Sequence, residues 1–245
     1  MAYSQGEIAH AKGYSERGVI LHTLKYSERK LIVHILTRSR GRMSYITNIS
    51  RGSSRNLYQP LFVVEFLACA SRGSMDKILS CELAPTLYNT PFDLVKRSLS
   101  IFISELLYRI IREPVDDPHL YDYVEQSVLS LDVMDRGVAN FHIWFLVHLT
   151  YFLGYGFARE YPSGGWLNLS TGEFTAGVPP LGERVAPQYA YYLWRFVDCD
   201  VRDISSIELN RDLRVILLQV LVDYYTYHCD NFGSVLSIEV LGELF

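Results

Sequence analysis

The chain has 245 residues, 49% of them hydrophobic and 20% charged, which is enough apolar material for a sizeable core and too much for a disordered polymer. Its formal net charge of −4 conceals two halves of opposite sign. Twelve of the 23 Lys and Arg fall in the first 85 residues with only six of the 27 acids, so that segment carries +6 and the remainder −10. A field of one sign over a small segment favours an oppositely charged partner, and Lys and Arg that neutralise phosphates gain affinity by releasing counterions. The four cysteines, Cys69, Cys81, Cys199 and Cys229, have no C-x-x-C spacing, which argues against a zinc ribbon or a disulfide framework and for a reducing, cytoplasmic setting. The first sixteen residues hold no apolar run followed by a cleavage pattern, so export is not expected.

From Gly18 to Ala84 the text reads as five strands, GVILHTL, LIVHILT, MSYITNIS, PLFVVEFLACA and ILSCELA, each rich in β-branched or aromatic residues. Five strands of this length predict a small barrel. The breaks between them hold Lys25, Arg29, Lys30, Arg38, Arg40, Arg42, Arg51, Arg55, Arg72 and Lys77, with only Glu28 and Asp76 as acids. Exposed turns and protected sheet edges account for part of this charge. A five-stranded barrel with charged loops also has the build of an OB-fold, whose strand face and loops grip single strands through phosphate contacts and base stacking. Tyr26, Tyr45 and Tyr58 lie in or beside the basic breaks, either as stacking platforms or as core.

After Pro85 the period becomes helical. Thr90-Pro91-Phe92-Asp93 reads as a helix start with Thr90 as cap and Asp93 reaching back to it, and Phe92, Val95, Leu99, Phe102, Leu106 and Ile110 form one apolar stripe ending before Pro114. Further helices are predicted over Leu120 to Leu131, over the uncharged run within Gly137 to Ala158, over Pro187 to Val197 and over about Arg211 to Cys229. Between the third and fourth, Trp166 to Phe174 reads as a hairpin turning at Ser170-Thr171-Gly172. The fold class is thus α+β: an N-terminal five-stranded OB-fold barrel over residues 1–85, then an all-α domain over 86–245 with a small β-hairpin insertion.

The uncharged run is long enough to span a bilayer, but Asn140, His142, His148 and Thr150 spread along its middle argue for a buried central helix. No phosphate-cradling, dinucleotide-binding, H-E-x-x-H or G-x-S-x-G motif is present, so an enzyme is not expected. His142 and His148, six residues apart, sit about 120° apart around a helix and cannot share a metal from one face. His22 and His34 lie mid-strand as potential sheet neighbours, read as hydrogen-bonded histidines ahead of a metal or proton role. Asp116-Asp117 reads as loop and helix start, and Asp198 and Asp200 as solvated.

The run RGVILHTLKYSERKLIVHILTRSRGRMSYITNISRGSSRNLYQPL, followed in order by LYRIIRE, RGVANFHIWFLVHLTYFLGYG, DYYTYHCDNF and LSIEVLGELF, resembles the RecO family of bacterial DNA repair proteins in its Bacteroides-like form. The resemblance covers about Arg17 to Phe245. It implies a non-enzymatic recombination mediator that binds single- and double-stranded DNA and anneals complementary strands. Its implied partners are RecR and the acidic tail of the single-stranded DNA-binding protein, with which it helps RecA load. The family's basic loop after the third strand corresponds to Ser50 through Arg55, which makes Arg51 and Arg55 the first candidates for DNA contact. Arg29 and Lys30 follow, then Lys25, Arg38, Arg40 and Arg42. Many relatives carry a four-cysteine zinc site after the long apolar helix, whereas Phe157 to Arg184 has no cysteine. No zinc or other cofactor is therefore expected, and the Trp166 to Phe174 hairpin fills that place. The rival reading is a protein-interaction scaffold whose basic barrel docks an acidic partner.

Overall fold

The computed structural model describes residues 13–48, 54–71, 73–112, 116–230, 232–233, 235, 237 and 241. The chain divides into two compact units, the first reaching Thr86 and the second opening at Leu87.

The first unit is a closed barrel of β1 (Gly13–Ser27), β2 (Lys30–Thr37), β3 (Gly41–Asn48), β4 (Val63–Cys69) and β5 (Asp76–Leu83) in the order β1-β2-β3-β5-β4. All neighbours are antiparallel except β3 and β5, which pair parallel through Tyr45 with Asp76 and Ile46 with Lys77. This is the OB arrangement. At fifteen residues β1 serves two ladders, Gly13 to Val19 with β4 and Gly18 to Ser27 with β2. The two ladders overlap at Gly18 and Val19, and a Cβ at Gly18 would collide with Ile35 Cγ2 and crowd the carbonyl of Leu36. Gly18→Ala is accordingly expected to lower barrel stability by about 1–3 kcal/mol, through forced displacement of a packed strand, measurable by chemical denaturation. Inside, Ile20, Leu31, Val33, Ile35, Tyr45, Tyr58, Val64, Phe66, Ala68 and Ile78 form one core.

Several expectations shift here. The first strand begins five residues before Gly18 and runs on to Ser27, so Lys25 belongs to a strand rather than a connection. Lys30, Arg42 and Lys77 are likewise strand residues. Tyr45 is fully buried edge-on to Phe66 at 4.9 Å, and Tyr58 is 5% exposed with its hydroxyl 3.3 Å from Thr47 Oγ1, so neither can stack on a base. Tyr26, 61% exposed, still can.

The second unit contains α1 (Leu94–Ile110), α2 (Pro118–Val133), α3 (Phe141–Phe152), α4 (Pro187–Val197) and α5 (Arg211–His228), plus a small sheet of β6 (Trp166–Asn168), β7 (Phe174–Thr175) and β8 (Arg184–Val185). The hairpin thus gains a third strand, paired to β6 through Leu167 with Val185. α3 lies at the centre against α2, α4 and α5. Several of its polar side chains find partners inside the protein: Trp144 Nε1 donates to the Cys199 carbonyl at 2.8 Å, His148 Nε2 lies 3.0 Å from the Phe196 carbonyl, and Thr150 donates to Val147. Tyr123 and Tyr225 donate to its Phe145 and Leu146 carbonyls. That satisfaction explains why an uncharged helix can be a core element. Among the described residues no helix is long and apolar enough to cross a membrane.

α1 starts three residues later than expected. Asp93, not Thr90, is the cap, its carboxylate accepting from the Lys96 N–H at 2.9 Å. Thr90 is instead drawn into a buried knot around Asp132 of α2, whose carboxylate accepts the backbone N–H groups of Tyr88, Asn89 and Thr90 at 2.7 to 2.9 Å. The buried Lys96 ammonium donates to the Asp132 carbonyl at 2.7 Å. Phe92, expected on the inner stripe, falls outside the helix and is 86% exposed. Pro114, the expected stop, lies outside the described residues, and α1 ends at Ile110.

Candidate nucleic-acid interface

The register of β2 sorts the candidate cations into two groups. Lys30 pairs with Asn48, and Thr37 pairs with Gly41. Lys25, Arg29 and Lys30 therefore gather where β1 turns into β2, at the same end as Asn48, the last residue of β3. Arg38, Arg40 and Arg42 sit at the other end of β2, seven residue steps or roughly 23 Å away. Sequence alone ranked the residues but could not reveal this division.

The two ends differ chemically. Lys25, Arg29 and Lys30 are exposed, and none forms an ion pair with another described residue. Tyr26 stands between Lys25 and the turn with its ring in solvent. At the far end the turn is tightly built: Thr37 Oγ1 donates to the Gly41 carbonyl at 2.8 Å and accepts the Arg40 N–H at 3.2 Å, with Gly41 at a positive φ of 63°. The Arg40 guanidinium lies 3.5 Å from Asp76 and 4.7 Å over the Tyr14 ring. Arg38 is exposed and Arg42 half-buried. Arg55 falls in a one-turn helix, Ser54–Leu57, whereas Arg51 and Arg72 lie outside the described residues.

Between the ends, the outward face of β1 and β2 carries the two histidines. His22 and His34 are register partners with stacked rings 6.0 Å apart, and His34 Nδ1 lies 2.8 Å from Ser44 Oγ. Burial, aided by Arg42 and His22, pushes the His34 pKa down to about 4, so it is neutral at pH 7. His142 is buried edge-on to Phe102, its pKa pushed down to about 3 by burial and then by Arg214. Among the described residues no three His, Cys, Asp or Glu side chains gather as metal ligands. Asp198 pairs with Arg159 at 2.9 Å and Asp200 with Arg202 at 2.8 Å, all four at the surface. The small OB barrel thus carries, at one rim, exposed cations that have no ion-pair partner among the described residues.

Comparison with known proteins agrees along nearly the whole chain. Residues 12–86 match the profile for the recombination protein O N terminal, and residues 91–233 that for the recombination protein O C terminal. The DNA repair protein RecO of Bacteroides fragilis is 31% identical over 216 residues, covering 85% of this chain and 89% of that protein. RecO of Porphyromonas gingivalis is 31% identical over 221 residues, and that of Flavobacterium psychrophilum 27% over 217, with the same coverage. The chain belongs to the RecO family of DNA repair and recombination proteins.

Proposed function

We propose that this protein is a recombination mediator that binds single- and double-stranded DNA with little sequence preference, anneals complementary strands, and works with RecR and the single-stranded DNA-binding protein to load RecA. The observation that carries the reading is the cationic rim of Lys25, Arg29 and Lys30, exposed and without carboxylate partners among the described residues. Such cations contact phosphates rather than base edges, so affinity depends on salt and hardly on sequence. Annealing is then a physical act: screening the repulsion between strands and holding them close lowers the barrier to pairing, and no bond is made or broken. The protein would act in the cytoplasm, at the nucleoid, with its helical unit receiving the acidic tail of the single-stranded DNA-binding protein.

The test is annealing of two complementary oligonucleotides, bare or coated with the single-stranded DNA-binding protein, followed by energy transfer between end labels. Acceleration of at least about tenfold that fades as salt rises is the expected result, since each phosphate contact contributes about 0.7 to the logarithmic salt slope for single strands. A protein that leaves the rate unchanged, yet still captures RecR, would be a scaffold instead.

A further inference from the structure

Nothing so far uses the aromatic surface beside the small sheet, where β6 packs on α4. Tyr161 stacks on Trp194, centroids 5.0 Å apart and planes 24° from parallel, and Tyr191 meets Tyr161 edge-on at 6.0 Å. Tyr191 is 40% exposed, and Tyr161, Tyr192 and Trp194 are half-buried. Arginines are interleaved with these rings. The Arg195 guanidinium lies 5.9 Å from the centre of Tyr191, and Arg184 lies 5.8 Å from that of Trp166 on β6. Arg159, whose carbonyl accepts the Trp194 indole N–H at 2.8 Å, lies 5.9 Å from the ring of Tyr151.

Charge is distributed unevenly here. α4, PQYAYYLWRFV, carries Arg195 and no acid, in a half with 21 acids against 11 bases. Arg195 forms no ion pair with another described residue, while Arg159 is neutralised by Asp198 and Glu160 stays in solvent. Two grooves lined by described residues, about 590 and 460 Å³, lie elsewhere, around Asn140 and Arg214 and around Tyr88 and Phe92. None of these rings lines either groove, and together they make an aromatic shelf. A shelf of flat rings edged with arginine suits unpaired bases, because every base presents a π-face and its phosphate lies within reach of a cation.

We propose that this shelf stacks the unpaired bases of a single strand, giving the protein a second nucleic-acid contact separate from the barrel cations. The inference rests on the annealing reading and deepens it, since pairing two strands requires that each be held. Duplex DNA, whose base faces are already stacked, gains nothing from the shelf.

The test uses the full chain with oligo(dT) and a duplex of equal length. Tyr191→Leu, which keeps apolar bulk but removes the ring, is expected to weaken oligo(dT) binding about fivefold or more, the lower end of one lost base stack, and to slow annealing. Its salt slope and duplex affinity should match the parent, which also certifies an intact fold, and Tyr191→Phe should restore binding. Unchanged oligo(dT) affinity in Tyr191→Leu, or an equal loss for duplex, overturns the shelf. A barrel variant, Arg29→Ala with Lys30→Ala, separates the two proposals: a reduced salt slope there with a silent Tyr191→Leu removes the shelf alone. The converse pattern removes the barrel rim and leaves the shelf.

Discussion

Replacing Asp132 by Ala is expected to destabilise the helical unit by about 3–5 kcal/mol, because it strips one carboxylate from three backbone donors and leaves them buried or half-buried without an acceptor. All three tryptophans, Trp144, Trp166 and Trp194, lie in this unit, so denaturant unfolding followed by indole emission isolates it from the barrel. Asp132→Asn, which keeps one acceptor oxygen, should lose less. The same knot has a pH signature. Burial works against the charged form of Asp132, but the N–H groups of Thr90, Tyr88 and Asn89 outweigh it and hold the pKa below its ordinary value. A depressed folded-state pKa contributes stability above the ordinary carboxylate value of about 3.9, and that stability drains away as pH falls through the folded value. The wild type should therefore lose stability below about pH 4 more steeply than Asp132→Asn. Parallel acid profiles for the two proteins would exclude the knot as their source.

The second large effect concerns the basic residues of the barrel unit. Removing Arg29, Lys30, Arg51 and Arg55 together should lower the logarithmic salt slope of single-strand binding by about 3, at about 0.7 per lost phosphate contact. Removing Arg38, Arg40 and Arg42 should lower it by less per residue, because Arg40 is already engaged by Asp76 and Tyr14. Anisotropy titrations of one labelled oligonucleotide across salt concentrations measure both. Equal slopes for the parent and the fourfold variant would remove these four residues from the interface.

Much of the architecture was legible because local signals and packing agreed. α4 is bounded as predicted, since Pro187 fits the first helical position and the aromatic stripe ends at Val197. The alternating strands from Leu31 to Thr37 likewise declare an inner face. Elsewhere the deciding interaction is distant. Gly13 to Arg17 reads as polar and irregular, yet it forms the first part of β1 because β4 lies beside it: Arg17 pairs with Glu65 at 2.5 Å across the ladder, and the buried Glu16 binds Ser39. Thr90 had every local mark of a helix cap and lost the role to Asp93 because Asp132, forty-two positions on, claims its N–H. Composition exposed the basic segment. Only strand register shows that the described candidates occupy opposite rims, and only ring geometry gathers Tyr191 with Tyr161 and Trp194, whose letters look like ordinary core.

The double duty of β1 also fixes an order of assembly. Its later half finds β2 across a two-residue turn, a local hairpin that needs almost no loop closure, whereas its earlier half waits for β4, some fifty residues downstream. As the polypeptide emerges from the ribosome, the hairpin can form early. The cylinder cannot seal until Leu83 has been synthesised, so the cationic rim is displayed by nascent chains before the core behind it is shut.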